Sequence, residues 1–168
     1  MKRLTAFSLS FLALVLAGAG STAAANGYGP WEPTYQGAIT APAGAVCPFT
    51  VTASPVYEKL RVRYHYDAAG NVDGYQATGP LIAQITNTEN GASVRRNLSG
   101  LGTVTFNPDG SYDGVADGNF LVFFRAADTP SYELLLMSGR TQLHGDASGA
   151  KTLVSTTGRT ENLCNTLA

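Results

Sequence analysis

The chain has 168 residues, with 11 Lys and Arg against 12 Asp and Glu, 19 glycines, 8 prolines and only 14% charged residues. That length suits one domain, and the near-neutral balance excludes the basic surface a nucleic-acid binder needs. Low charge with many glycines excludes a coiled coil, and 44% hydrophobic residues exclude a disordered chain.

Residues 1–25 read as a secretory signal peptide. Lys2 and Arg3 precede an apolar run over 7–17, and small residues lead to a cleavage point between Ala25 and Asn26. The run is shorter than the ~20 residues that span a bilayer, so a secreted, extracellular product without a membrane anchor is expected. Residues 26–47 read as an irregular arm, because Pro30, Pro33 and Pro42 sit among glycines and proline lacks the donor a sheet ladder needs. Trp31, the only tryptophan, is expected to tuck over one end of the domain.

Residues 48–168 read as a single β-domain. Phe49, Val51 and Ala53 alternate with polar residues. Leu60, Val62, Tyr64 and Tyr66 fall on one face of a strand, with Arg61, Arg63 and His65 on the other. Tight turns are expected at 67–70, 88–91, 107–110 and 146–149, where Asp, Asn or Thr opens and glycine closes the turn, with a further one at 128–131. Glycine-rich breaks at 79–80, 99–102, 117–118 and 138–139 fall between them and read as reversals at the opposite end. A turn about every ten residues implies an antiparallel up-and-down meander of about ten strands. Such a sheet curls, and a closed or nearly closed barrel removes its edges; a two-sheet β-sandwich is the alternative. Cys47 and Cys164 bracket the meander and, in an exported chain, are expected to form a disulfide bond.

Candidate chemistry is sparse. His65 and His144 each precede an Asp by two residues, but Asp67 and Asp146 open turns and are explained there, and the two histidines are expected two strands apart. No catalytic residue, metal ligand or cofactor site is therefore assigned. Residues 120–124 and 134–137 are apolar on both strand faces. The arm with Trp31 and Tyr35 is expected to cover them. Otherwise Trp31, Phe120, Phe123, Leu135 and Met137 form an apolar contact surface for a lipophilic small molecule or a protein partner.

The run from Ser99 to Ser111, Ser-Gly-Leu-Gly-Thr-Val-Thr-Phe-Asn-Pro-Asp-Gly-Ser, with the leader, one early cysteine and one near the carboxyl end, resembles small exported β-proteins of actinobacteria that have no assigned function. The resemblance implies no catalytic residues. The layout is also similar to lipocalin-like barrels, without their Gly-x-Trp opening: Trp31 lies in Pro30-Trp31-Glu32-Pro33. The expectation is a secreted, non-enzymatic binding protein for an apolar small molecule or a protein surface. A small barrel enzyme of cyclase or isomerase type and a ligand-free structural protein are the alternatives.

Overall fold

A computed structural model describes residues 26–168. The expected leader, with Ala25, lies outside the described residues. Among those described, no helix is long and apolar enough to cross a membrane.

The protein is all-β, built as two antiparallel sheets. Residues 26–47, expected to be irregular, contribute β1 (Gly27–Tyr28), β2 (Glu32–Thr34) and β3 (Ile39–Ala41). The meander follows as β4 (Val51–Glu58), β5 (Leu60–Tyr66), β6 (Val72–Gly79), β7 (Leu81–Asn87), β8 (Ser93–Asn97) and β9 (Gly100–Phe106). Two long strands, β10 (Tyr112–Phe124) and β11 (Glu133–Gly145), precede β12 (Lys151–Thr156), β13 (Thr160–Asn162) and a short helix α1 (Leu163–Thr166). The larger sheet runs β1–β5–β6–β9–β10–β11–β12, with β2 also on β5 and β13 also on β11. The smaller runs β3–β4–β7–β8.

The glycine-closed turns form as expected. Gly70, Gly110 and Gly149 donate to the carbonyls of Asp67, Asn107 and Asp146, and Gly91 donates to Asn87. Each of these glycines has a φ between +78° and +87°, which a side chain would strain. The glycine-rich breaks are different. The chain passes through them without reversing: Lys59 alone separates β4 from β5, Pro80 alone separates β6 from β7, and Leu98 and Ser99 separate β8 from β9. They are bends within long strands, and each interval of about twenty residues is one bent strand instead of an up-and-down pair. Glycine and proline punctuate a bend and a reversal alike, which is why the strands, ten of them from β4 to β13, do not pair up and down in simple succession.

Register lines these bends up. Gly79 lies opposite Gly100, Gly100 opposite Gly118, and Gly118 opposite Gly139. A Cβ on Gly139 would lie 3.2 Å from the Cα of Gly158. The row makes a crease across the sheet. At Gly118 (φ +122°) a Cβ would stand 2.7 Å from the Gly100 Cα and the Ser99 carbonyl, so the backbones meet where a side chain would go. On one side of the crease all the long strands stay in one sheet, here called the open half. On the other, the closed half, β4, β7 and β8 leave to form the smaller sheet. Among the described residues no closed barrel forms. The sheet divides at the crease and the sandwich alternative holds.

The closed half carries the main core. Val51, Ala53, Ala83 and Ile85 of the smaller sheet pack on Leu134, with Leu121, Phe123 and Leu136 alongside. The opposite face of the same β10–β11 hairpin is also covered. Phe124, Leu135 and Met137 pack with Val122 against Leu143 and Leu153, which belong to the open half. The creased hairpin is thus a middle layer between the smaller sheet and its own far half. This explains its two apolar faces without Trp31 or Tyr35; of the arm, Ala41, Val46 and Cys47 join the first of these clusters. Its tip returns to the free edge of β12, where Thr129 donates to the Lys151 carbonyl and accepts from Leu153 N–H. Asp128, buried at 5% exposure, fastens that return by accepting from Arg125 N–H, Lys151 N–H and Lys151 Nζ.

Cys47 and Cys164 are bonded across 117 residues with Cα atoms 5.3 Å apart. Asn162 accepts from Cys164 N–H and Asn165 N–H, capping α1 and presenting Cys164. A buried disulfide fits an oxidising environment.

Candidate functional site

Strand alternation divides the open half into two unlike faces. The outer face is polar. Arg63 donates to Gln76, and Gln76 donates to Thr103. Arg140 pairs with Asp117 and His144 with Asp113, both directly cross-strand. His65 pairs with Asp73 at 2.5 Å. Asp67 and Asp146 accept from their own turn N–H groups, as expected. The histidine partners are thus other carboxylates than the two that follow in sequence. Nor are the histidines two strands apart. The register runs His65, Gly74, Thr105, Asp113, His144, which is four strand spacings or about 19 Å. Among the described residues no group of three metal-ligating side chains occurs.

The arm caps the edge of this polar face. Tyr28 lies opposite His65 with ring centroids 4.8 Å apart. The Arg63 guanidinium stacks on Tyr28 at 4.3 Å and on Trp31 at 4.6 Å, and Arg61 stands 5.7 Å from Trp31. Trp31 is therefore an anchor of the arm on β5. Tyr35 is 79% exposed.

The inner face is apolar and hollow. A cleft of about 330 Å³ runs along β6, β9, β10 and β11, walled by Tyr75, Val104, Phe106, Tyr112 and Leu143. A second lobe of about 200 Å³ lies beyond the crease between β10 and the smaller sheet, lined by Ile39, Leu60, Leu81, Leu121 and Phe123. Gln36, Ala77 and Phe120 belong to both lobes. Phe120 therefore stands at their junction. Its ring lies over Gly100 and Gly102, where a Cβ would come within 2.7 and 3.3 Å of it. Residues 35–38, the link between β2 and β3, form the lip, with Gln36 N–H donating to the Glu58 carboxylate at 2.9 Å.

Small side chains make the space. Gly102, Gly114, Ala77 and Ala116 line the larger lobe. A Cβ on Gly114 would sit 3.8 Å from Leu143, an ordinary contact, and the residue has no positive φ. The backbone therefore does not require glycine there. Among the described residues no Asp, Glu, Lys or Arg lines either lobe.

Of the apolar residues singled out from sequence, Phe120 and Phe123 line the cleft, whereas Leu135 and Met137 are buried in the second core cluster. Tyr75 and Gly114 carry no site signal of their own in the sequence, and Phe106 shows there only as an apolar position alternating with Thr103 and Thr105. The signal they share is the alternation of β6, β9 and β10, in which small or aromatic residues recur on one face.

These features define a two-sheet β-protein with a bilobed apolar cleft at its crease. No protein-family model, curated protein or solved structure matches the chain.

Proposed function

We propose that this is an exported, non-enzymatic binding protein that holds a small apolar molecule in the cleft. The supporting observation is Gly114: its missing side chain keeps open a space that neither backbone conformation nor neighbouring atoms demand. The larger lobe, about 330 Å³, reaches the size range of small-molecule sites, roughly 300–1,000 Å³, and the apolar, charge-free lining of both lobes favours a lipophilic ligand. The buried disulfide and the apolar leader support export.

Fluorescence titration of the secreted protein with the neutral probe N-phenyl-1-naphthylamine tests the reading. Saturable binding is expected, and Gly114→Leu, which fills the larger lobe, is expected to weaken it by at least about tenfold. Equal binding by both proteins rejects the cleft as the site, and binding by neither puts the ligand-free structural protein first.

A further inference from the structure

The cleft holds few groups able to orient a ligand, and most are already engaged. Thr78 donates to the Gly100 carbonyl, Thr103 accepts from Gln76, and Thr141 pairs with Thr156. The Gln36 side chain is on the exposed lip. The Tyr112 ring lies against Gly145, where a Cβ would overlap it, and Asp128 and Asp146 act on its phenol. Its phenol therefore has carboxylates close by to engage it, whereas none acts on Tyr75. Tyr75 remains. It lines the larger lobe, half-buried between Tyr64 and Phe106, and among the described residues its hydroxyl has no hydrogen-bond partner. Burial, then the neighbouring Tyr112 and Tyr64, push its pKa up, so at neutral pH the hydroxyl is protonated and able to donate.

Resting on the binding function proposed above, we infer that the ligand is a neutral aromatic or polyene ring compound with one hydrogen-bond acceptor, and that Tyr75 is its polar anchor. Phe106, Tyr112 and Phe120 offer ring faces and edges to a flat molecule, and the glycines and alanines beneath leave room for it. The absence of charge in the lining disfavours an anion, whose carboxylate would be desolvated without a partner. The smaller lobe beyond Phe120 takes an apolar extension of the ring.

The experiment compares three probes of one ring system by calorimetry or fluorescence competition: naphthalene, 2-acetylnaphthalene and 2-naphthoate. The acetyl compound is expected to bind most tightly and the naphthoate at least about tenfold more weakly. Tyr75→Phe is expected to weaken 2-acetylnaphthalene about fivefold while leaving naphthalene unchanged, since one neutral hydrogen bond is at stake. Tyr112→Phe is expected to leave the ratio of the two affinities where it was. Naphthalene measured on the Tyr75→Phe protein reports whether that variant retains its cleft. If all neutral probes bind and Tyr75→Phe keeps the wild-type ratio, the anchor is rejected while the cleft stands. If 2-naphthoate binds best, the neutral class is rejected. If no probe binds, both this inference and the binding function fall.

Discussion

The two halves of the molecule on either side of the glycine crease are made from the same strands and do opposite things. In the closed half, β10 and β11 are covered on both faces, Ile85, Leu134 and Leu163 are fully buried, and a disulfide and a capped helix close the end. In the open half, Tyr64 and Phe106 of the inner face remain about 40% exposed, and small residues hold a cleft open. Packing stabilises, and the same chain leaves one half underpacked where a ligand would complete it. The contrast separates residues that hold the protein together from residues that line the cleft.

The largest test of that division is the disulfide. Replacing both Cys47 and Cys164 with alanine frees a loop of 117 residues, and the stability lost is expected to be about 4–5 kcal/mol by chemical denaturation. The crease comes next. Gly118→Ala brings a Cβ to 2.7 Å from neighbouring backbone at φ +122°, and a loss of about 3 kcal/mol is expected from overlap and strain together. If the loss is under about 0.5 kcal/mol, the crease is not a close backbone approach and the halves are not divided there.

A smaller effect sits at the hairpin return. Burial raises the Asp128 carboxyl, but Arg125 N–H, the Lys151 ammonium and Lys151 N–H outweigh it and hold the pKa below its ordinary 3.8. A lowered folded pKa means a stabilisation that is complete above the ordinary value and is lost as the pH falls through the folded one. Acid titration of the melting temperature should therefore show a loss starting near pH 4 that is reduced in Asp128→Asn. At neutral pH that variant should lose about 2 kcal/mol, because Lys151 is left half-buried with its charge partner gone. The smallest effect belongs to the open half. Phe106→Ala should change stability by less than about 1 kcal/mol, since its ring is already 42% exposed, while weakening the naphthalene probe several-fold. A destabilisation as large as that of Ile85→Ala, about 2–5 kcal/mol, would mean the cleft wall is core and erase the contrast.

The turn chemistry was readable from residues alone, because Asp67, Asn107 and Asp146 each open a turn whose closing glycine takes positive φ. So were the alternation at the start of β4 and along β5, the all-β class and the cysteine pair. The crease was not. Gly79-Pro80 and Ser138-Gly139 look like reversals when each is seen in isolation, and only cross-strand register reveals that the glycines stand in a row. The doubly apolar runs at 120–124 and 134–137 are plain in the sequence, but a single sheet has no second inner side, which leaves only the arm as a cover. Folding the sheet on itself supplies one, with Leu143 and Leu153 in place of Trp31 and Tyr35. The cleft was hidden for a related reason: a glycine such as Gly114 signals space only after its neighbours show that the backbone had no need of it.

The arm that runs alongside β4 and β5 has a consequence for how the protein survives in solution, since the chain carries a formal net charge of only −1, and −3 without the expected leader's Lys2 and Arg3. Mutual repulsion between copies is weak at that charge, and exposed strand edges are templates for cross-molecular pairing. One edge of the larger sheet is covered by the short β1 and β2, and Pro33 has no N–H to offer a stranger. The opposite edge, along β12, is occupied by the returning hairpin tip at Thr129. In the smaller sheet, β3 is three residues long and β8 carries Arg95 and Arg96, the latter tied to Glu161 of β13. Each edge is thus shortened, charged or already taken, so resistance to fibril-like association is built into the strand ends instead of into the surface charge.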